Sequence, residues 1–194
     1  MDKTEIISYF KSTGAFLDGH FLLTSGRHSN KYFEKFTLLS NPDVVDKLCK
    51  PIYSMYKHKK IDVVLGAATG GIILAYELGR QLNTKGFFAE RVNGELKFRR
   101  GFTLRKNQKV LLVDDVVTTG GSVFELINLT KSTGANISGI AVMFDRANGE
   151  IDFGYPFFAL HSEKIESWDQ EECPQCMALI PLTKRGSTGK QKTI

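Results

Sequence analysis

The stretch KVLLVDDVVTTGGSVFELINLTKSTGA, residues 109–135, passes from an unbroken apolar run through two carboxylates and a Thr-Thr-Gly-Gly-Ser turn into a helical pattern. An apolar run without alternation is the mark of a strand covered on both faces, as in parallel sheets. The same order recurs upstream. IDVVLGAATGGIILAYELGRQL, residues 61–82, is a buried strand, a glycine-rich turn and an apolar helix. GFFAE (86–90), NISGIAVMFD (136–145) and FFAL (157–160) supply further strands. Strands alternating with helices predict one α/β domain with a central, mostly parallel sheet flanked by helices.

Ahead of this domain, residues 2–13 carry a short amphipathic helix pattern closed by Gly14. GHFLLTSGRHSNKYFEKFTLL, residues 19–39, mixes aromatic, small and basic residues without helical spacing, which predicts short strands with a turn at Ser25–Gly26. Asn41–Pro42–Asp43 is a helix start, with proline at the first helical position. The helix runs to about Lys57 with Val44, Val45, Leu48, Ile52 and Met55 on its apolar side. The expected divisions are 1–40 as an N-terminal flanking element, 41–161 as the core and 162–194 as a C-terminal extension.

Ligands of parallel sheets bind at the carboxyl ends of strands, beside helix N-termini. There this chain places Asp114 and Asp115, then Thr118, Thr119, Gly120, Gly121 and Ser122. Glycines let the backbone close tightly, and successive N–H groups with the three hydroxyls can surround a terminal phosphate. Carboxylates repel phosphate, so the acidic pair suits sugar hydroxyls or outer contacts to a divalent cation. Together they imply a phosphorylated sugar, with or without Mg²⁺. The plainer alternative is a strand end and a helix cap. The P-loop lysine and the dinucleotide GxGxxG are both absent from the motif, which takes most of the weight from two familiar cofactor classes.

Gly66–Ala67–Ala68–Thr69–Gly70–Gly71 can present amides to a second anion, or merely allow close packing. Residues 91–109 hold Arg91, Lys97, Arg99, Arg100, Arg105, Lys106 and Lys109 against the single acid Glu95, which reads as a basic mobile segment or hairpin. Such an element suits neutralisation of an anionic leaving group. Arg146 ends a strand near the rim that carries Asp114, and a guanidinium there suits a carboxylate. Ser25 and Arg27 belong to the flanking element, where Arg27 is either an anion contact or part of a turn.

The phrase VLLVDDVVTTGGS resembles the phosphoribosyl pyrophosphate motif of type I phosphoribosyltransferases. With FLLTSGRHSNKY, GAATGGIILAYELGR, FAERVNGELKFRRGF, VMFDRANG and ECPQCMALIPLTKRGS, the chain resembles the short bacterial or archaeal orotate phosphoribosyltransferases over nearly its whole length. The resemblance implies a type I phosphoribosyltransferase fold with a hood over the base. It implies transfer of 5-phosphoribosyl from phosphoribosyl pyrophosphate to N1 of orotate, with Mg²⁺. Asp114 and Asp115 would hold the ribose, and Thr118 to Ser122 the 5′-phosphate. Thr69, Gly70 and Gly71 would contact pyrophosphate, Arg146 the orotate carboxylate and Thr118 the base. Arg91 and one of Lys97, Arg99 and Arg100 would belong to a lid reaching the neighbouring site of a homodimer. Val92 and Thr24 stand where many relatives have lysine, so those lysine roles do not transfer. The alternatives are a phosphoribosyltransferase for another base and a nucleic-acid-binding regulator on the same fold.

Composition agrees with a single soluble domain. The 194 residues carry 42% hydrophobic and 24% charged side chains, which excludes wholesale disorder. A net charge of +5 fits anionic small molecules as readily as nucleic acid. No apolar stretch reaches membrane-span length and three cysteines are an odd number, so the expectation is a cytoplasmic protein without nucleic-acid or membrane partners. Cys173–Pro–Gln–Cys176 is a single CxxC with His161 as the one nearby further ligand, and it reads as a structural tail rather than a zinc or redox site. The end KRGSTGKQKTI contributes four of the basic residues.

Overall fold

A computed structural model describes residues 1–23 and 25–185. Thr24 and residues 186–194, the greater part of the basic end, lie outside the described residues. Helix α1 (Lys3–Ser12) starts on Asp2, whose carboxylate accepts the Glu5 amide at 2.8 Å, and it buries Ile6 and Phe10. Strands β1 (Phe16–Leu22) and β2 (His28–Phe33) pair antiparallel around a turn in which Gly26 adopts φ +83°, a left-handed conformation that favours glycine. The flanking segment then departs from the expected strands: Lys35–Leu39 forms a short helix, α2, burying Leu38 and Leu39. Helix α3 (Pro42–Tyr56) opens as expected on Asn41, whose side chain accepts the Val44 amide at 3.3 Å. Its buried face holds Val44, Val45, Leu48, Cys49, Ile52 and Tyr56, whereas Met55, expected on that face, is exposed.

The core follows as β3 (Val63–Ala67), α4 (Gly70–Gln81), β4 (Lys85–Val92), β5 (Glu95–Phe98), β6 (Lys109–Val117), α5 (Gly121–Ser132), β7 (Asn136–Asp145) and β8 (Phe157–Ser162). These strands form one six-stranded sheet, β5-β4-β3-β6-β7-β8, parallel except where β5 turns back along β4. The basic stretch after Arg91 is therefore a hairpin at the sheet edge. Alternate residues of β6 feed opposite faces, as strand geometry requires. Leu111 and Val113 join the cluster with α3 and α4, while Val110 and Leu112 join the cluster with α5. Strand β3 has β4 on one side and β6 on the other, so the strand order reverses between β3 and β6. That switch point is where an open α/β sheet leaves a crevice at its carboxyl edge.

The C-terminal extension adds a four-residue helix, α6 (Pro174–Met177), and β9 (Thr183–Lys184), which pairs parallel with β1. Residues 163–185 thereby become part of the hood. His28 and Trp168 exchange backbone hydrogen bonds at 2.8 and 2.9 Å, and Ser29 Oγ donates to the Glu166 carbonyl at 2.8 Å. The segment around Trp168, which reads as an exposed linker in sequence, is thus stitched to β2. No helix is long and apolar enough to cross a membrane, among the described residues.

Candidate active site

Two adjoining lobes open at the carboxyl edge of the sheet and share Val116, Thr118 and Thr119. The smaller, about 220 Å³, is lined by Arg91, Asp114 and the run from Val116 to Val123. Its floor is the turn from β6 into α5. Gly120 there has φ +76°, and a Cβ at that position would press on the Phe153 ring at 2.9 Å. Only glycine makes this turn, and it leaves the amides opening α5 facing an anion-sized space beside three hydroxyls. The larger lobe, about 440 Å³, lies between this turn and the hood and includes Ser25, Tyr32, Phe33, Lys35, Arg146 and Ile165.

Because neighbouring strand residues point to opposite faces, Asp114 and Asp115 serve different sides of the crevice. Asp114 lines the small lobe. Asp115 lies on the α4 side, where its carboxylate meets Lys35 Nζ at 2.8 and 2.9 Å and lies against Gly70, where an added methyl group would run into it. Gly66 and Gly71 pack backbone to backbone just below, again leaving no room for a side chain at Gly66. Thr69, Gly70 and Gly71 thus stand immediately behind the acidic pair. The Asp115 amide donates to Asp114 Oδ1 at 2.9 Å, tying the two together. Burial, reinforced by the neighbouring Asp115 charge, pushes Asp114 up to about 7. Burial also raises Asp115, and the Lys35 ammonium opposes that rise.

Arg146 reaches the larger lobe because β7 lies beside β6. Its amide donates to the Val117 carbonyl at 2.9 Å, which sets it next to Thr118. The preceding Asp145 is buried and accepts the Ala147 and Gly149 amides at 2.9 and 2.7 Å, fixing the loop that carries the arginine. Arg146 itself makes no ion pair among the described residues, and its Nε is buried without a hydrogen-bond partner. Burial lowers its basicity. An uncompensated guanidinium in a half-closed cleft is costly unless an anion meets it.

The structure separates the remaining sequence candidates. Ser25 and Arg91 line the cleft, with Arg91 held by Glu125 at 2.9 and 3.0 Å. Arg27 does not line it. Its Nη1 donates to both Asp169 carboxylate oxygens and its Nε and Nη2 donate to Ser167, so in this structure it fastens the hood to the C-terminal extension. Lys97, Arg99 and Arg100 stand on or beside the β4–β5 hairpin and line neither lobe; Lys97 pairs with Glu95 and Arg100 with Glu90. Lys35 and Tyr32 are site residues that sequence reasoning missed. Nothing in KYFEKF distinguishes Lys35 from Lys31, which pairs with Glu163 instead. His161 is likewise engaged with Glu163, at 3.1 Å, rather than with the CxxC.

Comparison with known proteins agrees with this geometry. Residues 37–174 match the phosphoribosyl transferase domain family. An orotate phosphoribosyltransferase of Caldicellulosiruptor bescii is 45% identical over 190 residues, covering 98% of this chain and 100% of that protein. The crystal structure of orotate phosphoribosyltransferase from Aeropyrum pernix superposes with a TM-score of 0.68 at 26% identity, over 82% of this chain and 94% of the other. Adenine phosphoribosyl transferase from Trypanosoma brucei shares the fold, with a TM-score of 0.60 at 19% identity over 80% of this chain and 79% of that one.

Proposed function

The chain belongs to the orotate phosphoribosyltransferases of the phosphoribosyl transferase domain family, and from this we propose how its two lobes divide the work. The enzyme transfers 5-phosphoribosyl from phosphoribosyl pyrophosphate to N1 of orotate, releasing pyrophosphate and orotidine 5′-phosphate for pyrimidine synthesis. The observation that carries the assignment of lobes is Arg146, a half-buried guanidinium in the larger lobe beside Thr118, with its Nε buried and without an ion-pair partner among the described residues. A planar carboxylate-bearing base matches its fork, with Tyr32 and Phe33 beside the ring. The small lobe takes the 5′-phosphate on the Thr118–Ser122 turn. Asp114, lining the small lobe, and Asp115, on the α4 side, accept the ribose hydroxyls and stabilise the positive charge that grows on C1 and the ring oxygen as pyrophosphate departs. Thr69 to Gly71 and Arg91 receive the pyrophosphate. Orotate attacks C1 from the face opposite the leaving group, and its ring chemistry makes a protein base unnecessary.

The residues fit Mg²⁺ only at second hand. Asp115 is already held by Lys35, and one Asp114 oxygen is taken by the Asp115 amide, so neither offers an open pair of oxygens. Both would face a hydrated cation that arrives on pyrophosphate, whose charge that cation neutralises. We further propose a homodimer in which the β4–β5 hairpin brings one of Lys97, Arg99 and Arg100 to the neighbouring site.

The test is an absorbance assay with Asp115→Asn and Arg146→Ala. Asp115→Asn should lower kcat by about 100-fold or more while the chain stays folded. Arg146→Ala should raise KM for orotate by about 10- to 100-fold and leave KM for phosphoribosyl pyrophosphate nearly unchanged. Unchanged turnover in the first variant, or activity on hypoxanthine or uracil equal to that on orotate in the wild type, would overturn the reading.

A further inference from the structure

Outside the cleft, four ligand-type side chains converge where the hood meets the C-terminal extension. His20 comes from β1, His28 opens β2, and Cys173 and Cys176 flank the start of α6. Their donor atoms all lie within 4.8 Å of one another. Cys173 Sγ is 3.5 Å from His20 Nε2, and Cys176 Sγ is 3.6 Å from His20 Nε2 and 3.3 Å from His28 Nδ1. The two ring nitrogens are 2.9 Å apart. His20, His28 and Cys173 are buried, and Cys176 is half-buried. A tetrahedral ion with Zn–N near 2.0 Å and Zn–S near 2.3 Å needs ligand separations of about 3.3–3.8 Å, so three of these distances already match and the nitrogen pair needs a few tenths of an ångström.

A hydrogen-bonded cluster would not demand this arrangement. His20 Nδ1 lies 2.8 Å from the Ile180 carbonyl, to which it donates, and this leaves Nε2 as a lone pair aimed into the cluster. The carbonyl behind a ligating imidazole is the usual partner that fixes its tautomer at a zinc centre. Two sulfurs and two nitrogens in a tetrahedral, largely dry setting select zinc over harder ions. The fold has no catalytic use for these groups, since none lines either lobe.

We propose that His20, His28, Cys173 and Cys176 form a structural Zn²⁺ site that locks the hood to the C-terminal extension. On binding, both Sγ–H bonds break and two protons leave to solvent. Two thiolates and two neutral imidazoles then exactly balance the charge of the ion. The site closes the four coordination positions with protein, so it is structural rather than catalytic. His20 and His28 bracket the turn that carries Leu23 and Ser25 to the larger lobe, so the ion fixes the frame of that turn. The CxxC that reads in sequence as a pair lacking partners finds them 145 or more residues earlier in the chain.

The test uses the full chain purified under reducing conditions from zinc-supplemented medium. Elemental analysis should find about one zinc per chain, falling to a small fraction in Cys176→Ser and in His28→Ala. Because a variant can fail to fold, the wild type stripped with a chelator is also titrated with Co²⁺. One equivalent should produce the visible bands of a tetrahedral site together with thiolate-to-cobalt charge transfer, and added Zn²⁺ should abolish both and protect two thiols from a thiol reagent. A wild-type chain that carries no zinc, gives no tetrahedral cobalt spectrum and leaves both thiols reactive in excess Zn²⁺ overturns the proposal. Activity is not the readout, so failure here is distinct from failure of the orotate assignment.

Discussion

Asp114 shows how a single buried carboxylate couples stability to pH. Its pKa is raised from an ordinary aspartate value to about 7 by burial and by Asp115, so the folded chain binds a proton that the unfolded chain has lost by pH 5. Where the native state binds more protons, stability falls as pH rises. The stabilising contribution is therefore complete below about pH 4 and is lost on passing upward through about pH 7. Ligand-free Asp114→Asn should consequently be more stable than the wild type at pH 8, by about 2–4 kcal/mol, with the difference fading toward pH 4 in denaturant melts. The same variant should lose activity, because the ribose needs the charge that the apo fold pays to bury. Lys35 acts in the opposite sense. Lys35→Met leaves Asp115 buried without its cation, and melts should show a loss of about 1–3 kcal/mol that is larger at pH 8 than at pH 5.

At the scale of elements, the crevice depends on the start of α4, which approaches β3 and β6 closely. Gly66 at the end of β3 and Gly71 at the start of α4 leave no space for a Cβ at Gly66, and Gly70 leaves none beside Asp115. Gly66→Ala collides with backbone, which cannot yield cheaply, so it should destabilise by about 2–4 kcal/mol in thermal or denaturant unfolding. Gly70→Ala collides instead with the carboxylate itself. It should displace Asp115 and lower kcat by at least about 10-fold, with a smaller loss of stability than Gly66→Ala. Equal stability losses with unchanged kcat in Gly70→Ala would show that the glycine matters for packing alone. These elements were legible in sequence because strand, glycine turn and helix follow one another within about 20 residues. Helix α2 was not, because five residues in an aromatic-rich segment carry too little periodicity to separate a helical turn from a strand.

The whole molecule explains what no segment could. The hood is one sheet made from both ends of the described chain, with β1 between β2 and β9, and Arg27 bridging to Asp169 across more than 140 residues. Arg91 of the β4–β5 hairpin lines the small lobe, whereas Lys97, Arg99 and Arg100 beyond it line neither lobe of their own chain. If Arg99 and Arg100 serve the neighbouring site, two inactive variants should complement. Asp115→Asn mixed in equal amount with an Arg99→Ala/Arg100→Ala chain and allowed to exchange subunits should recover about a quarter of wild-type activity, since half the dimers gain one intact site. Mixing that restores nothing, in a chain shown by sedimentation to be dimeric and exchanging, would place the hairpin's work within its own subunit.

The sequence by itself determined the parallel α/β core, the phosphate-binding turn and the position of the acidic pair. All three are written in contiguous residues, where hydrophobic period, glycine placement and strand-end chemistry act locally. Tertiary structure decided the rest. It chose Lys35 over other lysines as the partner of Asp115, paired Arg27 with Asp169, and left Arg146 without a counter-charge among the described residues. It also brought Cys173 and Cys176 to His20 and His28, where the sequence offered only His161. Which charge meets which, and which ligands share an ion, depends on chain segments made adjacent by burying a common core, and sequence distance carries no record of that adjacency.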